Sequence, residues 1–352
     1  MIEADVLIAG AGAGGAACAI AAASRGCRVL IADAGEAKHR LGETLPGAAR
    51  KLLAELGVLE AFEADRHPPS LGLASRWGSA SVEVRDALAD PHGAAWRLDR
   101  AGLARRLLER ALQCGCRLVT PARVASAAAE TGRWRVRLAG AADREVRCGY
   151  LVDATGRSSV LARMLGARRV RTDNLVCDML VSPGGAPAAL DGFSLVEALP
   201  YGWRYATRLP GGERLTSVHS DFDLLARPRD GSTRVAAWSA RLVRFAGPGW
   251  AAVGDAAYAF DPLSSQGLFN ALYSGLRLGE KLAAAPAQAP AAHAAEMEAV
   301  WSAYRRHQRL YYAAEPRWRA LPFWRRRSGA QSAARGASAA VSSVHAATPS
   351  AR

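Results

Sequence analysis

The chain opens on an apolar run interrupted by glycines, "ADVLIAGAGAGGAACAIAAASRGCRVLIAD", and that pattern predicts strand, turn, helix, strand. Val6 to Ala9 reads as a short buried strand and Gly10 to Gly15 as the turn. Ala16 to Ser24 is a helix of good formers closed by Gly26, and Arg28 to Ala32 is the next buried strand. The apolar spacing of "AARKLLAELGVLEAF" predicts a second helix near Pro46 to Ala64. From Ser70 to Trp96 short alternating pieces such as "SVEVRD" predict sheet, after which Asp99 caps a helix through "RAGLARRLLERALQCG". Three strand-like pieces follow, around Leu118, in "WRVRLAG" and in "GYLVDAT". Val170 to Trp238 is strand-rich with turn punctuation, and after Trp250 the strand, glycine turn and helix return, the helix starting near Ser265. A helical segment is predicted from about Ala295 to Arg327, and the polar low-complexity stretch 328–352 is predicted to be disordered.

The order of these pieces predicts an α/β fold in which a Rossmann-like domain is interleaved with a β-sheet substrate domain. The dinucleotide-type domain is assigned to 1–70, 96–168 and 239–290, and the β-rich domain to 71–95 and 169–238. A helical C-terminal segment, 291–327, precedes the tail.

Composition narrows the choice of partner. The formal net charge is +14, yet Lys38, Lys51 and Lys281 are the only lysines, and the arginines are scattered without interleaved aromatics. That is not the footprint of a nucleic-acid groove, so no nucleic-acid partner is expected. The six cysteines form no CxxC pair and have no histidines at zinc spacing, so free thiols and no metal are predicted. The apolar N-terminus carries acids rather than basic residues before its run and glycines within it, which argues against a signal or membrane segment. A cytoplasmic location without membrane insertion is therefore expected.

The chemistry starts at Gly10-Ala11-Gly12-Ala13-Gly14-Gly15, a G-x-G-x-x-G turn. Gly10 permits the tight turn, Gly12 lets backbone approach a pyrophosphate, and Gly15 allows close helix–strand packing. The helix beginning near Gly14 points its partly positive end at the phosphates. Asp33 ends the following strand, where a carboxylate accepts from ribose hydroxyls. One such fingerprint implies one tightly held dinucleotide. In "WAAVGDAAYAFDPLSSQGLFNALYSG" an Asp at a strand end, Asp255, precedes a loop and helix, and can accept from a ribityl chain, which only a flavin has. Ser264 and Ser265 lack a G-x-S-x-G elbow and read as loop and cap residues, not nucleophiles.

With "YLVDATGRSS" and the late "VGDAA…P…GL" segment, the chain resembles the FAD-dependent aromatic hydroxylases and the related flavin-dependent halogenases. More narrowly, "RLGETLPGAARKLLAELGVLEAF", "SRWGS", "WRLDRAGL", "LVDATGRSSVLAR", "VGDAAYAFDPLSSQGL" and "FWRRR" are similar to a subgroup that includes maturation flavoproteins of tryptophylquinone-containing amine oxidases and dehydrogenases. The likeness runs from Met1 to about Arg327, with 221–238 compressed. It implies that Gly10, Gly12, Gly14, Gly15 and Asp33 bind the ADP half of FAD, and that Arg40, Gly42 and Glu43 lie along the cofactor as a strap. It further implies cofactor contacts from Arg100, Val124 and Asp255, and backbone N–H groups of Gly267 and Leu268 at the flavin's N1 and C2 carbonyl.

The halogenases use a lysine after the strap, whereas no lysine occurs here between Lys51 and Lys281, and arginine cannot serve as an amine nucleophile. The Trp-x-Trp-x-Ile-Pro signature is absent, and Ser264 stands where those enzymes place Glu. The resemblance therefore implies a monooxygenase acting on an electron-rich aromatic, with a tryptophan side chain in a polypeptide as the subgroup's substrate. NAD(P)H or reduced flavin from a partner reductase is the expected donor, and a client protein the expected macromolecular partner. The alternatives are a halogenase, an isoprenoid-type flavin reductase and a non-catalytic FAD-binding maturation or carrier protein. Tyr201, Trp203, Tyr205, His219 and Asp221 are the candidate cavity residues, with alternation placing the first three on one face and His219 a candidate base.

Overall fold

A computed structural model of the chain describes residues 1–35, 44–141, 143–185, 190–226, 228 and 230–328. The strap residues Arg40, Gly42 and Glu43 and the predicted tail from 329 onward lie outside the described residues.

The opening pattern folds into strand Ile2–Ala9, helix Ala13–Ala23 and strand Val29–Ala32. These strands sit in an eight-stranded sheet whose parallel core runs Trp250–Ala252, Arg144–Asp153, Ile2–Ala9, Val29–Ala32, Arg117–Val119. The core strands are buried on both faces, which is why they read as continuous apolar runs rather than alternating ones. Val6 and Ile8 enter the core on one face and Leu7 and Ala9 the core on the other. A hairpin, Ala122–Glu130 with Arg133–Gly140, extends the sheet in antiparallel fashion. "ARVASAAAE" is alanine-rich and would suit a helix, but pairing with Arg133–Gly140 holds it as a strand.

Two helices pack face to face on one side of this sheet, Ala13–Ala23 and Gly267–Ala284. They can do so because a Cβ on Gly275 would stand only 2.1 Å from the Gly14 carbonyl oxygen. The sequence-predicted helix at 46–64 is two helices, Ala49–Glu55 and Leu59–Ala64, parted at Gly57 with φ +65°. Asp99 caps Arg100–Gln113 as expected, its Oδ1 accepting from the Ala101 N–H at 3.0 Å.

A second sheet of seven strands gathers Gly72–Arg76 and Glu83–Asp86 with five strands between Leu175 and Ala236. Gly72–Arg76 pairs in parallel with Ser194–Leu199, which joins two segments far apart in sequence. The C-terminal part is one long helix, Ala289–Ala313, then a turn and the short helix Pro322–Arg325. Its aromatics form a third core against the second sheet, with the Trp324 Nε1–H donating to the Leu199 carbonyl at 2.9 Å. Among the described residues no helix is long and apolar enough to cross a membrane.

Candidate flavin site

The glycine turn divides into residues that make the fold and a residue that leaves room. Gly10 sits at φ +106°, where only glycine is unstrained, and a Cβ there would meet the Ala154 oxygen at 2.5 Å. A Cβ on Gly15 would stand 2.0 Å from the Gly10 oxygen. Gly12 differs, because a Cβ there would meet nothing within 4 Å. It is the N-cap of helix Ala13–Ala23, with no side-chain cap and no acid in the first turn, so the helix presents bare N–H groups to open space. Asp33 stands beside this opening. One oxygen accepts from the Ala11 N–H at 2.7 Å and the other from the Gly35 N–H at 2.8 Å, which leaves lone pairs for a ribose.

Three further segments close around the same opening. Buried Asp153 ends its strand and accepts from the Thr155 hydroxyl and N–H and from the Ala162 N–H at 2.6–2.9 Å. Burial pushes its carboxyl upward, against the pull of those hydrogen bonds. The turn it holds abuts Gly10 through Ala154, whose N–H donates to Ala9. The Gly254–Ala256 turn is bonded to the second helix, its Gly254 N–H donating to Ser274 Oγ at 2.9 Å, and carries half-buried Asp255. Helix Gly267–Ala284 likewise starts without a side-chain cap or first-turn acid, and a Cβ on Gly267 would meet nothing within 4 Å. The Leu268 side chain is anchored in the core, which leaves its N–H to the first turn. A Cβ on Gly14 would come within 3.1 Å of the Ala271 oxygen, so the start of the first helix lies against the second turn of helix Gly267–Ala284. Each helix thus offers an uncapped, partly positive end with an open glycine, a pair of features that suits the separate anionic parts of a dinucleotide.

The remaining predicted cofactor residues are placed as follows. Arg100 begins its helix half-buried, and Val124 lies half-buried in strand Ala122–Glu130, opposite Leu138. Ser264 donates to the Asp261 carbonyl and Ser265 holds a left-handed turn at φ 50°, the loop roles expected of them.

The candidate cavity residues divide. Trp203 and His219 are paired across neighbouring strands and stack with centroids 3.6 Å apart and planes 4° apart. Tyr205 shares their core, its hydroxyl hydrogen-bonded to Thr44 and Ser194 at 3.2 Å each. Tyr201 does not share that face, since it sits exposed in the turn before strand Gly202–Arg208. His219 is a poor base: burial drives its imidazole down to about 3, and its Nδ1 has no hydrogen-bond partner among the described residues. Asp221 is buried and clamped by Arg326 and Arg327 at 2.8 and 2.6 Å, which ties the segment after helix Pro322–Arg325 to the sheet.

A family profile described as "FAD binding domain" matches residues 3–200. The chain belongs to that family. It is an FAD-binding protein. A "Putative FAD-dependent oxidoreductase LodB" of Marinomonas mediterranea is 27% identical over 360 residues, spanning 92% of this chain and 96% of that one. The fold matches the myxobacterial chondrochloren halogenase CndH with a TM-score of 0.82 at 21% identity, covering 98% of this chain and 90% of that one. It matches the peptidyl tryptophan dihydroxylase QhpG with a TM-score of 0.74 at 24% identity, covering 93% and 79%.

In this flavoprotein the loop ahead of helix Gly267–Ala284 is held by residues that no motif announced. Asp261 is buried, and its Oδ2 accepts from the Tyr312 hydroxyl at 2.6 Å and from Gln308 Nε2 at 3.2 Å. Tyr312 in turn accepts from Trp203 Nε1 at 3.1 Å, and Leu263 of the loop packs on the same aromatic core. The signal available was Asp261-Pro262 itself, an acid embedded in an apolar run, but its partner lies 51 residues away on another helix.

Proposed function

We propose that this flavoprotein is a monooxygenase that hydroxylates an electron-rich aromatic ring, with a tryptophan side chain within a polypeptide as the substrate class to test first. The observation that carries oxygen insertion over halogenation is the position of the amines. Lys51 is exposed on helix Ala49–Glu55, and Lys281 is tied to Glu296 at 2.6 Å near the far end of helix Gly267–Ala284. No lysine lies between them in sequence. The substrate class is supported by the likeness to a protein named as a peptidyl tryptophan dihydroxylase.

FAD, when bound, supplies reduction by an external donor and activation of dioxygen. The chain's own groups bind and orient it. The bare first turns at Gly12 and Gly267 hold negative charge, and Asp33 and Asp255 take hydroxyls. The Trp203, Tyr205 and Tyr312 layer excludes water beside the loop that Asp261 fixes. NAD(P)H or a partner reductase delivers electrons in this reading.

The test supplies the FAD-loaded protein with a chemical or enzymatic reductant, dioxygen, bromide and tryptophan-containing peptides, and reads product masses. Addition of oxygen atoms to the tryptophan supports the reading. Addition of bromine overturns it.

A further inference from the structure

Many arginines of this basic chain are paired with carboxylates, as Arg28 with Asp5, Arg106 with Asp65, Arg234 with Asp178 and Arg241 with Glu298. One region gathers five arginines around a single ring. Arg157, Arg163, Arg168, Arg169 and Arg171 line an open cleft of about 560 Å³ with Trp238, and no carboxylate lines it among the described residues. Arg163 and Arg168 have no ion-pair partner among the described residues, and Arg171 bonds only neutral oxygens of Asp173 and Asn174. Arg157 and Arg171 lie over the Trp238 ring, at 5.9 and 4.3 Å from its centroid, which holds their guanidinium planes in place. Arg169 uses Nη1 on Ser159 and the Ala256 carbonyl, and its buried Nη2 has no hydrogen-bond partner among the described residues. Burial lowers the Arg169 guanidinium to about 10, against the pull of the nearby Asp255 and Asp153 carboxylates, so it remains a cation at neutral pH.

We propose that this cleft docks an acidic, extended segment of a protein partner. Three observations favour a polypeptide over a small phosphate ester. The cleft is open, and its exposed Arg163, Arg168 and Arg171 come from three successive pieces of chain, the helix Val160–Met164, the link after it and the strand Arg169–Arg171. The strand Arg169–Arg171 is an edge of its three-stranded sheet, paired on one side by Ala240–Leu242, so an extended chain can lie along it. Arginine forks match carboxylates bidentately, which gives register to a run of Asp or Glu. The cleft adjoins the Ser159 and Ala256 turns behind the flavin site, so a docked partner is held against the cofactor end of the molecule.

The experiment uses FAD-loaded full-length protein and a fluorescein-labelled peptide of twelve glutamates, read by fluorescence anisotropy. Binding is expected at low salt and should weaken as salt rises. Arg163→Glu with Arg168→Glu should weaken it about tenfold or more, because two attractive pairs become repulsive. Arg133→Glu with Arg137→Glu, the same charge change on strand Arg133–Gly140, which does not line the cleft, should leave most of the affinity. Unchanged flavin absorbance shows that each variant is folded. No binding by the native protein, equal loss in both double variants, or no loss in the cleft variant overturns the proposal. Displacement of the peptide by ADP at matched ionic strength overturns it in favour of a phosphate-ester site.

Discussion

Two glycines of the same turn should respond oppositely to the same methyl group. Gly12 has φ −66° and ψ 176°, which alanine adopts freely, and a Cβ there meets nothing within 4 Å. Gly12→Ala should therefore change the stability of the flavin-free protein by less than about 1 kcal/mol, the cost of a poorer N-cap. The methyl would stand where the pyrophosphate must approach the first-turn N–H groups. Loss of one charge-assisted hydrogen bond costs about 1.5–3 kcal/mol, which weakens FAD binding roughly 10- to 150-fold. Gly15→Ala places its Cβ 2.0 Å from the Gly10 oxygen and 2.9 Å from the Ala154 Cβ, so backbone must move. That should destabilise the flavin-free protein by about 1–3 kcal/mol or more. The assay pairs urea unfolding of flavin-free protein with FAD titration followed by quenching of flavin fluorescence. Native-like FAD affinity in Gly12→Ala would show that the phosphates do not lie over this helix end. An unchanged unfolding midpoint in Gly15→Ala would refute the packing account.

Three other expectations are open to measurement. Tyr312→Phe removes the donor to Asp261 Oδ2 and strands Trp203 Nε1, and should cost about 1–3 kcal/mol; urea midpoints should also show that the cost shrinks in an Asp261→Asn background, and full additivity would refute the coupling. His219 is neutral when folded, its imidazole held down at about 3, but takes a proton near its ordinary value when unfolded. Its contribution is present above about pH 6.5 and lost as pH falls, amounting to about 2 kcal/mol at pH 5; unfolding at pH 7 and 5 should show a shallower dependence in His219→Leu, and an unaltered slope would refute it. Lys51→Ala with Lys281→Ala should leave product formation unchanged, at about 0.2–1 kcal/mol of stability from the Lys281–Glu296 bridge; abolished turnover in a correctly folded, FAD-loaded variant would point to amine chemistry.

Local pattern determined much of this protein. The cap at Asp99 was legible because a neighbour two residues away decides it, and the Gly10–Gly15 turn with Asp33 because the strand-turn-helix-strand unit fixes their spacing in one short stretch of chain. So were the buried parallel strands, whose unbroken apolar runs record burial on both faces. Long-range packing decided the rest. The alanine-rich strand Ala122–Glu130 is a strand because Arg133–Gly140 pairs with it, and the second sheet closes because Gly72–Arg76 meets Ser194–Leu199. Strand alternation pointed to one face for Tyr201, Trp203 and Tyr205, but it could not show that Tyr201 falls in the turn or that Asp221 is claimed by Arg326 and Arg327. Asp261 with Tyr312, and the arginines gathered around Trp238, acquire their character from groups brought together across the fold. A side chain's charge and size are written in the sequence, whereas its desolvation and its partners exist once the chain has closed around it.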